Sequence, residues 1–390
     1  MSVTGQVEIS KLLDIAVKHD ASDLHLRVGR PPVVRVNGHM RNISGFPVLT
    51  PELTFALMKS IASEKSQSDL NENGGADFGF SYGTAARFRV SIFREKSGVG
   101  VVCRQIPNKL RTFEEIGLPA IVKDVCMRPR GLCLVTGPTG SGKTSTLAAM
   151  IDFINQERRD HIITVEDPIE YHHPHKNCVV TQREVYNDVP SFAEALKRGL
   201  RQDPDVFLVG EMRDLETIEA AITAAETGHM VFGTLHTTGA AETVDRIIDV
   251  FPSNQQNQIR SQLAQVLEAV ISQTLIPRED KPGRVAAFEL MFCTDAIRSL
   301  IRKGETFKID SHIQIGAKDG NRLLDDHLFE LWSKKMISYH DMMVRSSQPQ
   351  QLEQKVRESG RGGAPGAAGA NGAGRTGGPT GSGRTTPPKR

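Results

Sequence analysis

A short segment near the middle of the chain restricts the fold more than any other feature. Residues 137–144 read GPTGSGKT and fit the phosphate-binding loop pattern G-x-x-x-x-G-K-[ST]. An apolar run of the buried-strand type, residues 132–136, precedes the loop, and apolar residues recur at helical spacing after it. The chain is therefore predicted to bind a nucleotide between a strand and a helix. The predicted binding residues are Gly137, Pro138, Thr139, Gly140, Ser141, Gly142, Lys143, Thr144 and Ser145.

The residue types of this loop match the chemistry of phosphate. Glycines let backbone N–H groups converge on the phosphates, and the helix that follows adds the positive end of its dipole. Lys143 can reach the β- and γ-phosphates, and the Thr144 hydroxyl can bind Mg²⁺. ATP and Mg²⁺ are therefore the predicted ligands. A similar segment at residues 378–385 lacks the strand and the helix and carries Arg384 in place of lysine, so we expect it to bind nothing.

Length and composition narrow the class of protein. The 390 residues, 38% of them hydrophobic, allow two or three globular domains. A net charge of +2 gives no overall basic field that would favour nucleic acid. Five widely spaced cysteines argue against a disulfide framework and a cysteine-ligated zinc site, and fit a reducing cytoplasm. No apolar stretch approaches the ~20 residues that span a bilayer, so we expect membrane association only through a partner.

Strand and helix signals divide the chain into four parts. Residues 1–108 are predicted to form a small α/β domain, with a helix at 9–19 and a hairpin turn at Asn37-Gly38. Residues 109–130 are predicted to be an interdomain linker with one short helix, and residues 346–390 a disordered Gly/Ala/Pro/Arg tail. The strands expected in the first part lie at 23–27, 33–36, 77–82, 87–94 and 99–106.

Residues 131–345 are predicted to form the ATPase domain with a helical C-terminal portion. Its strand-like runs alternate with helical ones, which implies a largely parallel sheet. Ser191 and Glu194 form a capping-box pattern before one helix, and residues 255–276 are predicted to be a single long amphipathic helix. The predicted strands are 132–136, 161–165, 178–182, 205–209 and 230–235.

Two carboxylates follow predicted strands. Glu166 ends the apolar run 162–165, where it could orient water or Mg²⁺ near the γ-phosphate. Glu211 follows the run 205–209, which has the form of a Walker B strand, and is the candidate catalytic base. Gly210 stands where many phosphate-loop enzymes have a Mg²⁺-binding aspartate, so Thr144 is the predicted metal ligand together with phosphate oxygens and water.

Histidines and arginines complete the candidate site. His229 and His236 flank the run 230–235, and a role in the site is predicted for His229. Arg87 and Arg89 share one face of a predicted strand, which fits either a solvated face or a source of positive charge for the phosphoryl group. We predict that Arg89 and Arg104, with Arg94 as a further candidate, line a cleft beside the nucleotide. The cluster His172, His173 and His175 is interpreted as an exposed turn.

In this order and spacing, the motifs resemble the type II/IV secretion ATPase superfamily, and within it the pilus retraction ATPases. The resemblance covers nearly all of residues 8–345. Further matching segments are 21–26 with Pro31-Pro32, 86–90, 166–170, 210–214, the histidine box at 227–237 and 296–302. Departures are Ser97, where the family commonly has arginine, and residues 316–325.

The resemblance implies an N-terminal PAS-like domain joined to a RecA-like P-loop ATPase core. It further implies a hexamer that couples ATP hydrolysis to type IV pilus retraction and twitching motility. The implied partner is the inner-membrane platform protein, with an accessory retraction ATPase as a second candidate, and the implied location is the cytoplasmic side of that membrane. Three alternatives stay open: an accessory retraction paralogue, a RecA-like nucleic-acid motor, and a regulatory subunit with little turnover.

Overall fold

The computed structural model describes residues 7–36, 38–83, 86–96, 98–106 and 110–359. Three features discussed above lie outside these residues, namely Asn37, Ser97 and the loop-like segment 378–385. The chain divides into two units, residues 1–347 and 348–390. Within the described ranges, no helix combines the length and the apolar character needed to cross a lipid bilayer.

The first part of the chain is an antiparallel sheet with helices packed on it. Its strands are β1 Asp23–Leu26, β2 Val33–Val36, β3 His39–Asn42, β4 Gly75–Tyr82, β5 Ala86–Glu95 and β6 Gly98–Ile106. Their order in the sheet is β3-β2-β1-β6-β5-β4, which leaves β3 and β4 at its edges. Alternate residues of β5, namely Phe88, Val90 and Ile92, are buried in the core of this domain, as their period of two predicts.

Three helices belong to this domain, α1 Ile9–Lys18, α2 Pro51–Lys59 and α3 Glu64–Asn73. The structure confirms the predicted α1 and the predicted strands, whereas α2 and α3 were not predicted. Their ends are specified locally: the Thr50 hydroxyl accepts from the N–H of Leu53, and the Ser63 hydroxyl accepts from the N–H of Ser66. The capping residues were therefore the signal that the sequence offered for these two helices.

The connection to the second domain contains two short helices rather than the single one predicted. They are α4 Phe113–Ile116 and α5 Val122–Cys126. Thr112 and Glu115 form a reciprocal capping box at the start of α4. The ring of Phe113 lies 5.5 Å from that of Phe153, so this connection packs on the second domain.

The second domain is built on a sheet whose strands are mostly parallel. They are β7 Gly131–Thr136, β8 His161–Glu166, β9 Val179–Glu184, β10 Val206–Val209, β11 Met230–Leu235, β12 Leu267–Pro277 and β13 Arg284–Phe292. The order is β13-β12-β7-β11-β10-β8-β9, and among the described strands of this sheet only β12 and β13 pair antiparallel. The phosphate loop follows β7, which lies at the middle of the sheet. The carboxyl ends of β7, β11, β10 and β8 therefore meet at one edge.

Helices cover both faces of this sheet and form a C-terminal group. They are α6 Lys143–Glu157, α7 Phe192–Gly199, α8 Leu215–Glu226, α9 Ala240–Asp249, α10 Gln256–Val266, α11 Asp295–Lys303, α12 Ile309–Ile315, α13 Leu324–Ser333 and α14 Tyr339–Arg345. The second unit contains one further helix, α15 Pro349–Glu358. Ser191 caps α7 as predicted. The ten residues of α15 lie inside the predicted tail, so the disorder predicted from residue 346 was wrong for them.

The single helix predicted at residues 255–276 was also wrong. The chain is helical only in α10 and then enters β12, which pairs with β7 on one side and β13 on the other. Leu267, Ala269, Val270 and Ile271 are all fully buried. Because both faces of this strand are covered, its apolar residues do not alternate, and their spacing matched a helix as well as a strand.

Candidate active site

The phosphate-binding loop lies between β7 and α6, as predicted. Gly137, Gly140 and Gly142 have positive φ angles of 139°, 79° and 93°. A Cβ atom on Gly137 would lie 2.2 Å from the carbonyl oxygen of Gln273, so close approach as well as φ requires glycine there. The loop thereby turns its backbone toward the first turn of the 15-residue helix α6, whose N-terminus favours an anion.

Unsatisfied polar groups in the loop fit a phosphate ligand. The Ser141 hydroxyl is buried and has no hydrogen-bond partner among the described residues. Lys143 Nζ donates to the carbonyl oxygens of Gly137 at 2.8 Å and Pro138 at 3.2 Å. Burial lowers the pKa of Lys143, while the charges of Glu211 and Glu170 raise it. A phosphate would give the serine a partner and the lysine a counter-charge, so the loop matches the predicted ATP.

Gln273 on β12 holds this loop from behind, and the sequence analysis missed it. Its Nε2 donates to the Ser141 carbonyl at 2.7 Å, and its Oε1 accepts from the Thr146 hydroxyl at 2.7 Å. Gln273 is 3% exposed, so both bonds are shielded from water. Gln273 fell within the predicted helix at residues 255–276 and was therefore given no role. A glutamine within an apolar run is nevertheless a signal of a buried polar contact.

Ser145 is the third residue of α6 and lies in its first turn. Its hydroxyl lies 2.8 Å from the Tyr171 hydroxyl, which ties α6 to the segment after β8. Thr144, the predicted Mg²⁺ ligand, is the second residue of α6 and lies beside Lys143. The described residues contain no cluster of three or more His, Cys, Asp or Glu side chains arranged to hold a metal ion.

The two predicted carboxylates differ in environment. Glu166, the last residue of β8, is 6% exposed, and burial raises its pKa to about 7. Its Oε1 accepts from the Thr164 hydroxyl at 2.7 Å and from Gln182 Nε2 at 3.2 Å. Glu211, two residues after β10, has a side chain 22% exposed. Glu166 is thus built into a buried network, whereas Glu211 remains open to solvent and substrate.

Glu211 is held by two basic side chains at the carboxyl edge of the sheet. Its Oε1 is 2.8 Å from His236 Nε2 and also accepts from Arg213 Nε. Its charge acts on Lys143, which places the predicted base near the phosphate loop. A Cβ on Gly210 would lie 3.2 Å from the Glu166 Cα, so the neighbouring strand leaves little room there for an aspartate. The missing Walker B aspartate therefore has a steric explanation.

The structure does not bring His229, a predicted site residue, to the edge of the sheet that carries the phosphate loop. His229 precedes β11, and its Nδ1 lies 2.9 Å from the Ala224 carbonyl oxygen. Its own carbonyl accepts from the N–H of Gly131, which starts β7, whereas the phosphate loop follows the end of that strand. At about 3.3 Å per residue, β11 puts His229 on the order of 20 Å from that edge. His236, at the other end of β11, is the histidine beside Glu211.

The four arginines lie in the N-terminal sheet with different partners. Arg89 is exposed, and it faces Arg104 across β5 and β6. Arg104 Nε donates to Asp23 Oδ1 at 2.9 Å, while Arg87 Nη2 donates to Glu184 at 2.7 Å. Arg94 was wrongly included, because its guanidinium donates to Leu70 and Asn71 of α3 and therefore lies on the other face of the sheet.

Arg89 is the one of these arginines whose charge acts on Asp167 in the acidic segment after β8. Burial raises the pKa of Asp167, and the charge of Arg89 is the largest effect in the opposite direction. Arg104 lies on the same sheet face, and its side chain is 69% exposed. The expected role of both residues in a cleft between subunits remains a prediction.

Comparisons with known proteins show the family of this chain. The sequence profile of the type II/IV secretion system protein family matches residues 5–323. The type IV pilus retraction ATPase PilT of Pseudomonas aeruginosa is 49% identical over 88% of this chain and 99% of that protein. The type IV pilus ATPase PilU of the same organism is 38% identical over 90% of this chain and 92% of that protein.

A solved structure extends the likeness to the fold. The crystal structure of the pilus retraction motor PilT with bound ADP has a TM-score of 0.84 and 46% identity, and covers 90% of this chain and 100% of that one. This confirms the predicted α/β class, in which an N-terminal domain precedes a RecA-like ATPase core. The chain therefore belongs to the type II/IV secretion system protein family.

Proposed function

We propose that this chain is a motor ATPase that couples ATP hydrolysis to the retraction of type IV pili. The observation that carries the proposal is the convergence of the phosphate loop, Glu211 and His236 at one edge of the core sheet. The likeness to a retraction ATPase along almost its whole length supports the coupling to pili.

The phosphate loop binds and orients the substrate. Backbone N–H groups, Lys143 Nζ and the Ser141 hydroxyl take the phosphates, and Lys143 gives up its two carbonyl partners when they arrive. The Thr144 hydroxyl would hold Mg²⁺, which neutralises the developing charge on the phosphate oxygens when bound. Gln273 keeps the loop in shape while its contacts change.

We assign to Glu211 the role of orienting the water molecule that attacks the γ-phosphate. Its Oε1 is engaged by His236 and Arg213, so we assign the water to Oε2. A carboxylate fixed at a strand end orients a water molecule with little reorganisation. His236 orients Glu211. Glu166 is buried in its own hydrogen bonds and keeps the neighbouring strand end in place rather than acting as the base.

The proposed assembly is a homohexamer on the cytoplasmic side of the inner membrane, bound to the pilus platform protein. Arg89 and Arg104 share the exposed sheet face from which they would add positive charge at a site between subunits. An accessory ATPase similar to PilU is a further proposed partner. Mass photometry with and without nucleotide tests the ring directly, and charge removal at Arg89 tests its contribution to turnover.

Two measurements separate this function from the alternatives. In a strain lacking the gene, wild-type protein should restore pilus retraction, while Glu211→Gln should be expressed and fail to restore it. Purified wild type should hydrolyse ATP at a rate that DNA leaves unchanged. Retraction that survives loss of the gene, together with turnover stimulated by DNA, would identify a nucleic-acid motor instead. Retraction restored by Glu211→Gln would point to a regulatory role without turnover.

A further inference from the structure

The edge strands of the two sheets meet at one buried carboxylate. β9 is the edge of the core sheet and ends at Glu184, while β4 is the edge of the N-terminal sheet. The side chain of Glu184 is 4% exposed. A carboxylate so deeply buried is stable only if several donors surround it, which makes its partners informative.

Four donors surround Glu184, two from each domain. From the N-terminal domain, Arg87 Nη2 donates at 2.7 Å and the backbone N–H of Gly79 at 3.2 Å. From the ATPase core, the backbone N–H of Ile169 donates at 3.2 Å and Asn187 Nδ2 at 2.6 Å. One side chain therefore joins the edge of the N-terminal sheet to the core.

Gly79 is shaped for this contact. A Cβ atom there would lie 2.6 Å from Glu184 Oε2 and 2.5 Å from Arg87 Nη2, both far inside normal contact distance. Gly79 lies within β4 and pairs with Arg89 in register. Any larger residue would push the two side chains of the ion pair away from the strand, so the geometry of the ion pair depends on this glycine.

One of the two core partners of Glu184 lies in the acidic segment of the candidate site. Ile169 lies in the acidic segment 166–170, which carries Glu166 and Asp167, and Glu184 stands opposite Glu166 in the register of β8 and β9. On the N-terminal side, Arg87 is two residues from Arg89, whose charge acts on Asp167. A shift of the N-terminal sheet would therefore displace both the acidic backbone and the arginine that faces it.

We propose that Glu184 is a positioning residue that links the position of the N-terminal domain to the acidic segment beside the nucleotide. It contacts no substrate; it acts through Ile169 on one side and through Gly79 and Arg87 on the other. This inference rests on the proposed function, because a motor needs its domain movement coupled to the chemical step.

A second contact between the domains supplies a control. Lys65 of α3 donates to the Tyr186 carbonyl, just beyond the end of β9, and its Nζ lies 5.9 Å from the centre of the Tyr186 ring. This contact joins the same two domains without touching the acidic segment. Lys65→Ala therefore loosens the domain contact while leaving the Glu184 cluster intact.

The test changes the cluster from its N-terminal side. Gly79→Ala should lower kcat about 10-fold in a folded protein, since misplacement far from the chemistry costs up to ~100-fold. Glu184→Ala should give a similar loss, and both variants should bind ADP with wild-type affinity. Lys65→Ala should keep kcat within about twofold, because exposed polar contacts contribute little. Steady-state kcat and KM, ADP binding and thermal melting are measured for each variant.

A double variant separates positioning from stability. If Gly79→Ala acts by displacing Glu184, it should cause little further loss of kcat in the Glu184→Ala background, while its effect on melting temperature need not vanish. Wild-type kcat in folded Gly79→Ala and Glu184→Ala would overturn the proposal, as would an equal loss in Lys65→Ala. A wild-type protein without ATP turnover would instead overturn the proposed function, and this inference with it.

Discussion

The two ends of the parallel strands in the core sheet differ in whether their polar groups have hydrogen-bond partners. We call the side where these strands begin the amino edge and the side where they end the carboxyl edge. At the amino edge, the Gly131 N–H donates to the His229 carbonyl at 3.0 Å, and the His161 N–H donates to Asp205 at 2.9 Å. At the carboxyl edge, the Ser141 hydroxyl has no partner among the described residues, and Lys143 rests on two carbonyls. Polar groups at the amino edge complete the fold, whereas those at the carboxyl edge are left ready for a ligand.

The same strand shows the difference with two identical side chains. His229 precedes β11 and is partly exposed, whereas His236 follows β11 and is exposed. The ring of His229 contacts the Ala224 carbonyl oxygen of its own turn, while the ring of His236 contacts the Glu211 carboxylate near the phosphate loop. The two residues are of the same type, and each lies one residue from an end of β11, so the direction of the strand alone decides that His236 lies near the phosphate loop and His229 does not.

The largest expected effect comes from the loop itself. Lys143→Ala should weaken nucleotide binding at least ~100-fold. The lysine ammonium, which donates to carbonyl oxygens in this structure, is the cation that would bind the phosphate oxygens.

Glu211→Gln should keep binding but lower kcat ~100-fold or more, as expected for a water-orienting base. Fluorescent ADP binding and steady-state hydrolysis measure the two effects separately. Near wild-type kcat in folded Glu211→Gln would show that Glu211 is not the base.

The histidine pair tests the contrast between the edges most directly. His236→Ala should lower kcat about 10-fold, since it removes an orienting contact of the base. His229→Ala should leave kcat within about twofold and lower the melting temperature by a few degrees, because it deletes one backbone contact. The opposite order of the two kcat values would place the chemistry at the amino edge.

A smaller effect is expected from Gln273. Gln273→Ala removes two buried hydrogen bonds to the phosphate loop and should raise the Kd for ADP about 30-fold, at roughly 1 kcal/mol per bond. Gln202→Ala, an exposed glutamine near the amino edge, is the matched control and should not change Kd. Equal Kd values for the two variants would mean that the loop keeps its shape without β12.

The smallest expected effect is a pH dependence of stability at the carboxyl edge. Burial raises the pKa of Glu166 from 4.5 to about 7, so the folded state binds this proton more tightly than the unfolded state. Stability from this group is complete below pH 4.5 and is lost as the pH rises to about 7. Glu166→Gln should therefore flatten the decline in melting temperature across that window.

The pH prediction has an internal control. Burial also raises the pKa of Glu289 to about 7. Glu289 therefore still contributes to the decline in melting temperature in the Glu166→Gln variant. The slope should consequently shrink without disappearing. An unchanged slope in Glu166→Gln would indicate that folding does not raise the pKa of this carboxyl group.

Most of the sheet architecture follows from local sequence signals. The phosphate loop with its flanks, the alternation of β5 and the runs at β8, β10 and β11 were all predicted correctly. These elements have either a fixed chemical pattern or a clear hydrophobic period. β12 was missed because burial on both faces removes the alternation that identifies a strand, and Gln273 was missed with it.

The arginines show what a strand pattern leaves open. Period two placed Arg87 and Arg89 on one face, and the structure agrees. That pattern does not predict which element packs against this face of the strand. In the structure, Arg87 forms an ion pair with Glu184 of the core. Arg94 falls on the other face, where α3 receives its guanidinium. Partners that are ~100 residues apart along the chain depend on how the domains pack.

The sequence by itself determined the phosphate loop, the two strand-end carboxylates and the α/β class, because each is specified by residues that are neighbours along the chain. Only the tertiary structure decided between His229 and His236, since strand direction and neighbour order set which end faces the loop. It also decided the positions of Gln273 and Glu184. Their partners come from distant segments, and contacts of that kind form only when the sheets assemble.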